Sequence, residues 1–196
     1  FVEALKNYQK GDLKTAENFC YKILSIDPNN FDSTFLLASI FAKARNFDKA
    51  KQFLHKAIEI EPKHLSALSN LGTAYKALGD RKEAINYYNK VIENNSNHIN
   101  AHYNLGLTFH ELKELKKAKS HFEKTIEIKN NHALAFFGLG NVNVDLKDLI
   151  NAVSCYQKAI EISPNLLGAH NNLGLVFREL NDFKNAISCY KKVIAI

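Results

Sequence analysis

The side chains in this sequence able to bind or react recur on a common step. His64, His98 and His132 stand 34 residues apart, as do Asn70 and Asn104, with Asn172 two steps further on. Cys155 and Cys189 repeat the interval. A metal ion needs its ligands converging on it at about 2 Å. Histidines supplied one per structural unit are too far apart for that, and no cofactor or metal is expected. No Ser/His/Asp set, glycine-rich phosphate loop or acidic cluster accompanies them, so the chain is not expected to be an enzyme. Asparagine suits a different task. A carboxamide carries two donors and one acceptor, and it bonds to a peptide backbone whatever the side chains on it.

The elements that must position these residues follow from the same step. Alanine recurs at Ala16, Ala50, Ala84, Ala118, Ala152 and Ala186, and lysine at Lys22, Lys56, Lys90, Lys124, Lys158 and Lys192. A branched aliphatic recurs at Leu24, Ile58, Ile92, Ile126, Ile160 and Ile194, and a small residue at Ala4, Ala38, Gly72, Gly106, Gly140 and Gly174. Internal repeats of this length are the mark of stacked helical or mixed units. In the third unit Leu68, Leu71, Ala74, Tyr75 and Leu78 carry the spacing of an apolar helical stripe. Gly79 breaks it, and Asp80 with Glu83 reads as a capping box opening a second helix. Units part at Asp27-Pro28, Glu61-Pro62, Asn94 to Asn97, Asn130-Asn131 and Ser163-Pro164. The expectation is all-α: about 12 antiparallel helices in six repeats, 1–30, 31–64, 65–98, 99–132, 133–166 and 167–196, in one domain. One hairpin cannot bury its own stripe, so neighbours must stack.

The segment Asn70-Leu71-Gly72 with Tyr75, Gly79-Asp80, Ala84 and Tyr88 resembles the tetratricopeptide repeat. So do Asn104-Leu105-Gly106 with Phe109, Ala118 and Phe122, and Asn172-Leu173-Gly174 with Phe177, Ala186 and Tyr190. The resemblance implies a right-handed α-α superhelix that takes a peptide or partner protein in a groove lined by the first helix of each unit. It places Leu36, Asn70, Asn104, Gly138 and Asn172 in one groove column. The three asparagines are similar to the ladder in the repeat region of O-linked N-acetylglucosamine transferases, with Gly138 as a gap. Neighbouring groove positions include Phe35, Tyr103, Phe137, Asn141 and Asn171, and nearer the helix ends Lys76, His110 and Arg178. Phe35, Tyr103 and Phe137 read either as aromatic anchors for a ligand or as packing against the adjacent first helix. Repeats that clamp a chaperone's terminal carboxylate carry basic residues where this chain has Phe35, Ser69, Tyr103 and Phe137, so that activity is not expected.

The formal net charge is +6, which raises nucleic acid as a partner. The excess lies in the lysine column of the second helices, where Glu59, Glu93, Glu127 and Glu161 follow at the pairing distance of three residues. A phosphate backbone calls for a one-sided basic stripe, so no nucleic acid is expected. No apolar run approaches the roughly 18 residues of a membrane span, and no membrane insertion is expected. With Cys20, Cys155 and Cys189 too scattered for a disulfide framework, a reducing, cytoplasmic setting is the expectation. The chain opens on Phe1 and has no methionine, so it reads as part of a longer polypeptide. Three functions fit: a peptide-binding scaffold, the substrate-recruiting arm of a larger glycosyltransferase- or sulfotransferase-like enzyme, or a self-assembly module.

Two units depart from the pattern. The first has Glu3 where others place leucine, as a capping or truncated repeat would. The fifth has Asn143 where Tyr75, Phe109 and Phe177 stand elsewhere, which predicts a softer joint there, with room for a bound water.

Overall fold

The computed structural model describes residues 1–195. They form twelve α-helices and no strand among the described residues: α1 (Val2–Lys10), α2 (Leu13–Ile26), α3 (Phe31–Lys43), α4 (Phe47–Ile60), α5 (Leu65–Ala77), α6 (Arg81–Asn94), α7 (Ile99–Glu111), α8 (Leu115–Ile128), α9 (Ala133–Asp145), α10 (Leu149–Ile162), α11 (Leu167–Glu179) and α12 (Phe183–Ala195). None of these helices is long and apolar enough to cross a membrane. The helices group into two units, residues 1–96 and 97–196. Within each unit every helix packs on the next in sequence. In the second unit α9 also touches both α7 and α11.

Every hairpin turns through the same backbone device. Gly11, Arg45, Gly79, Lys113, Lys147 and Asn181 all have positive φ, between 57° and 87°. After each, the next residue's N–H reaches back five residues, as from Asp80 to the Tyr75 carbonyl at 2.9 Å and from Asp148 to the Asn143 carbonyl at 2.8 Å. This is the Schellman closure of a helix. It corrects the capping box expected at Asp80 and Glu83. Asp80 Oδ1 does accept from the Glu83 N–H at 3.1 Å. The Asp80 N–H, however, is already used by Tyr75, so Glu83 turns instead to accept from Asn86 Nδ2.

The core is a set of ring stacks between paired helices. Phe41 lies on Phe53 with centroids 5.5 Å apart, Tyr75 on Tyr87 at 5.5 Å, and Phe109 on His121 at 5.5 Å, each within 12° of parallel. Glycines make room for the other aromatic column. A Cβ on Gly72, Gly106, Gly140 or Gly174 would come within 3 Å of the Tyr88, Phe122, Tyr156 or Tyr190 ring. The fifth hairpin breaks the stack, as its sequence foretold. Asn143 is 2% exposed there, and its Nδ2 reaches Cys155 Sγ at 3.6 Å while its Oδ1 finds no partner.

The lysine column behaves differently from expectation. Lys124 and Lys158 do pair with Glu127 and Glu161, each at 2.8 Å. Lys56 and Lys90 instead sit over the Phe53 and Tyr87 rings, at 5.6 and 4.8 Å, as Lys22 does over Phe19. The residue three before each lysine decides the matter. Where it is a phenyl or phenol ring, the ring face holds the ammonium; where it is His121 or Cys155, the carboxylate does.

Candidate peptide-binding cleft

Four of the six first helices begin with a side-chain cap, and three of these caps are histidines that sequence reasoning overlooked. Nδ1 of His64, His98 and His132 accepts from the N–H of Ala67, Ala101 and Ala135 at 3.1 to 3.2 Å. Asn30 does the same for Ser33 at 3.0 Å. The signal was present: each histidine stands directly before a helix and three residues ahead of an alanine. Burial holds His98 and His132 below the ordinary imidazole range, which keeps the accepting lone pair free. His102 and His170, near the starts of α7 and α11, are both buried. The first shares a ring-nitrogen hydrogen bond with His121 at 3.1 Å, and the second bonds to the Pro164 carbonyl at 2.8 Å.

The aromatic residues of the supposed groove pack as the helices start. Phe35 lies 5.4 Å from the His64 ring, and Tyr103 lies 5.0 Å from His132 and 6.0 Å from Phe122. Phe137 rests 5.9 Å from Tyr156, against the space left by Gly168. All three are half-buried. Their rings support the helix array, and only part of each is left for a ligand.

Asn70 and Lys76 belong to the first unit, where Asn70 is exposed on α5 beside a cleft of about 290 Å³ lined also by Tyr8, Lys43 and Phe47. In the second unit the residues converge more closely. A cleft of about 310 Å³ opens on the face of α9 and α11 turned away from their hairpin partners, with His110 and Lys113 at its edge. Asn141 is its centre. Asn141 Oδ1 accepts from Tyr156 Oη at 2.7 Å and from Asn172 Nδ2 at 2.9 Å. Asn171 Nδ2 lies 3.4 Å from Asn172 Oδ1. Asp145 Oδ2 accepts from Lys113 Nζ at 2.8 Å and His110 Nε2 at 3.0 Å. The Lys113 hydrogen bond is the larger of the effects that hold the Asp145 carboxyl below its usual range. Val144, Leu175 and Val176 form an apolar floor. Asn104 is half-buried on α7, and Arg178 is exposed in the last turn of α11.

Gly138 interrupts the asparagine column for a packing reason. A Cβ there would stand 2.6 Å from the Phe122 ring, which reaches under α9 from the preceding hairpin. Any side chain at that position competes with the core.

Repeat arrays of this geometry define a class of helical-hairpin proteins, and the comparisons place the chain within it. Tetratricopeptide-repeat models match residues 74–113, 99–132 and 132–196. The model of anaphase-promoting complex, cyclosome, subunit 3 matches residues 9–91. The chain is a tetratricopeptide-repeat protein. Similar solved structures include MamA from Desulfovibrio magneticus RS-1, 23% identical with a TM-score of 0.77 over 84% of this chain and 93% of that one. YrrB, described as a TPR protein with an unusual peptide-binding site, is 20% identical with a TM-score of 0.70 over 90% of this chain and 91% of that one. Pseudomonas aeruginosa pilF is 20% identical with a TM-score of 0.79 over 86% of this chain and 77% of that one. At these identities the likeness is one of fold. No curated protein matches the sequence.

Proposed function

We propose that this chain is a protein-interaction module, without catalysis of its own, that holds an extended peptide on the first-helix face of its second unit. The observation that carries the reading is the cleft on α9 and α11. Its polar groups are already bonded to one another on rigid helices, so little ordering cost remains for a ligand to meet, and its floor is apolar. Asp145 is paired with the Lys113 ammonium and accepts a hydrogen bond from His110, which suits a site that binds rather than one that moves protons. Likeness in fold to a protein described as peptide-binding agrees with this.

Helices packed about 8–10 Å apart present three first helices over a span that an extended peptide of roughly 12 residues covers easily. A displayed library of random peptides of about that length therefore samples the site. A selected peptide is expected to lose roughly tenfold or more in affinity against the Asn141→Ala, Asn172→Ala double variant, as two lost hydrogen bonds imply. Unchanged affinity in a folded double variant places binding elsewhere.

A further inference from the structure

The second helices contribute to the cleft from beneath. In the aromatic column Tyr88, Phe122, Tyr156, the phenol oxygens emerge on the first-helix face, and the residue 15 positions earlier answers them. Tyr88 Oη lies 3.1 Å from Thr73 Oγ1, and Tyr156 Oη lies 2.7 Å from Asn141 Oδ1. Where the column holds Phe122, the corresponding position is Leu107. At these three positions a polar group stands on the face only where a hydroxyl lies below it, whereas Tyr190 has Leu175 at its answering position. Burial pushes the Tyr156 phenol up to about 12, so it stays a donor at any physiological pH.

In the fifth hairpin this produces an oriented pair. Because Asn141 Oδ1 takes hydrogen bonds from both Tyr156 and Asn172, its amide nitrogen is turned outward. Asn172 spends a donor on Asn141 and keeps Oδ1 toward the cleft, 3.4 Å from Asn171 Nδ2. One donor and one acceptor then stand on adjacent first helices, the complement of the C=O and N–H of one residue, which in an extended chain face the same side. Exchanging oxygen and nitrogen throughout the network still leaves one of each. A lone asparagine is free to rotate about its terminal torsion; this pair is held.

Resting on the peptide-binding reading, we infer that Asn141 and Asn172 form a main-chain clamp for an extended peptide, with Tyr156 as its positioning residue. Leu175 is 39% exposed and lies beside the pair with Val144 and Val176. They take one aliphatic side chain next to the clamped residue. The partner class is therefore an unmodified extended segment with an aliphatic residue at one fixed place, recognised through its backbone there.

The test uses the library-selected peptide and the full chain. Each amide of the peptide is replaced in turn by an ester, which removes an N–H and weakens the carbonyl acceptor. The ester that removes the clamped residue's N–H is expected to weaken binding by roughly three- to tenfold, and the next ester, which weakens that residue's carbonyl, by less. Tyr156→Phe keeps the ring that Gly140 accommodates and should itself cost roughly threefold or more. In that variant the penalty of the sensitive ester should shrink. Tyr190→Phe serves as control, since Leu175 stands at its answering position, and should change nothing. If the peptide binds but the ester profile is the same in wild type and Tyr156→Phe, the clamp is wrong and the peptide reading stands. If no library peptide binds the second unit, both fall.

Discussion

Asn143 Nδ2 points at Cys155 Sγ from 3.6 Å in the place where Phe109 lies flat on His121 one hairpin earlier. The sixth hairpin pairs Phe177 with Cys189 at the same two positions. Asn143→Phe therefore rebuilds an arrangement the chain already tolerates. It buries a ring worth about 1.5–3 kcal/mol and removes a carboxamide oxygen left without a partner, itself costing about 1–3 kcal/mol. Some of this is lost to repacking, so a net gain of about 1–3 kcal/mol in urea unfolding is expected. Amide exchange across residues 133–146 should slow with it. A destabilised variant would mean that α9 and α10 have closed over the smaller pair.

Gly138 should resist every attempt to complete the asparagine column. Gly138→Ala puts a Cβ 2.6 Å from the Phe122 ring, an overpacking expected to cost about 1–3 kcal/mol. Gly138→Asn should cost at least as much. Adding Phe122→Leu should recover part of the loss in the alanine variant, measured by the denaturation midpoint. Full stability of Gly138→Ala alone would show that the ring moves aside freely.

Acid should weaken the first helices at their starting points. The caps at His98 and His132 need an unprotonated Nδ1, and burial first of all holds both histidines below the ordinary 6.5. A cation at a helix N-terminus also opposes the macrodipole. His121, buried beside His102, is lowered to about 4. For each of these groups the unfolded chain binds protons first. Their contribution is thus complete above about pH 6.5 and falls as pH drops through the range below it. For His121 the fall continues to about 4. Replacing His98 and His132 by asparagine, the cap that Asn30 already provides, should leave neutral-pH stability nearly unchanged and flatten the dependence below about pH 6.5. An unaltered slope would assign the acid response to other groups.

Arg45 turns with φ of 57°, where Gly11 and Gly79 occupy the equivalent place. The left-handed region costs a residue with a Cβ about 1–2 kcal/mol. Arg45→Gly should stabilise the chain by about 0.5–1 kcal/mol once glycine's greater freedom in the unfolded state is offset. Thermal unfolding checks it, and a lower midpoint would show that the arginine side chain makes up the strain.

The hairpins and their breaks were legible because four residue columns repeat without slippage: C-caps at Asp27, Glu61, Asn95 and Ser163 fall at the breaks read from the sequence, and Lys129 falls one residue before the break at Asn130-Asn131. The histidine caps were not, since imidazole is an uncommon cap and its role depends on which nitrogen faces the helix. The reason for the Gly138 gap was hidden because the obstructing ring belongs to Phe122, in the preceding hairpin. The resemblance to the repeat family was enough to put Asn141 among the expected groove positions. Its bond to Tyr156 could not, as it joins two columns that the period treats separately.

The lysine column answers salt differently in the two units. In the first, Lys22, Lys56 and Lys90 rest on ring faces, a short-range attraction that dissolved ions reach poorly. In the second, Lys124 and Lys158 rest on exposed carboxylates, which a physiological electrolyte screens within about 8 Å. Within this column, ionic strength therefore acts more on Lys124 and Lys158 than on Lys22, Lys56 and Lys90.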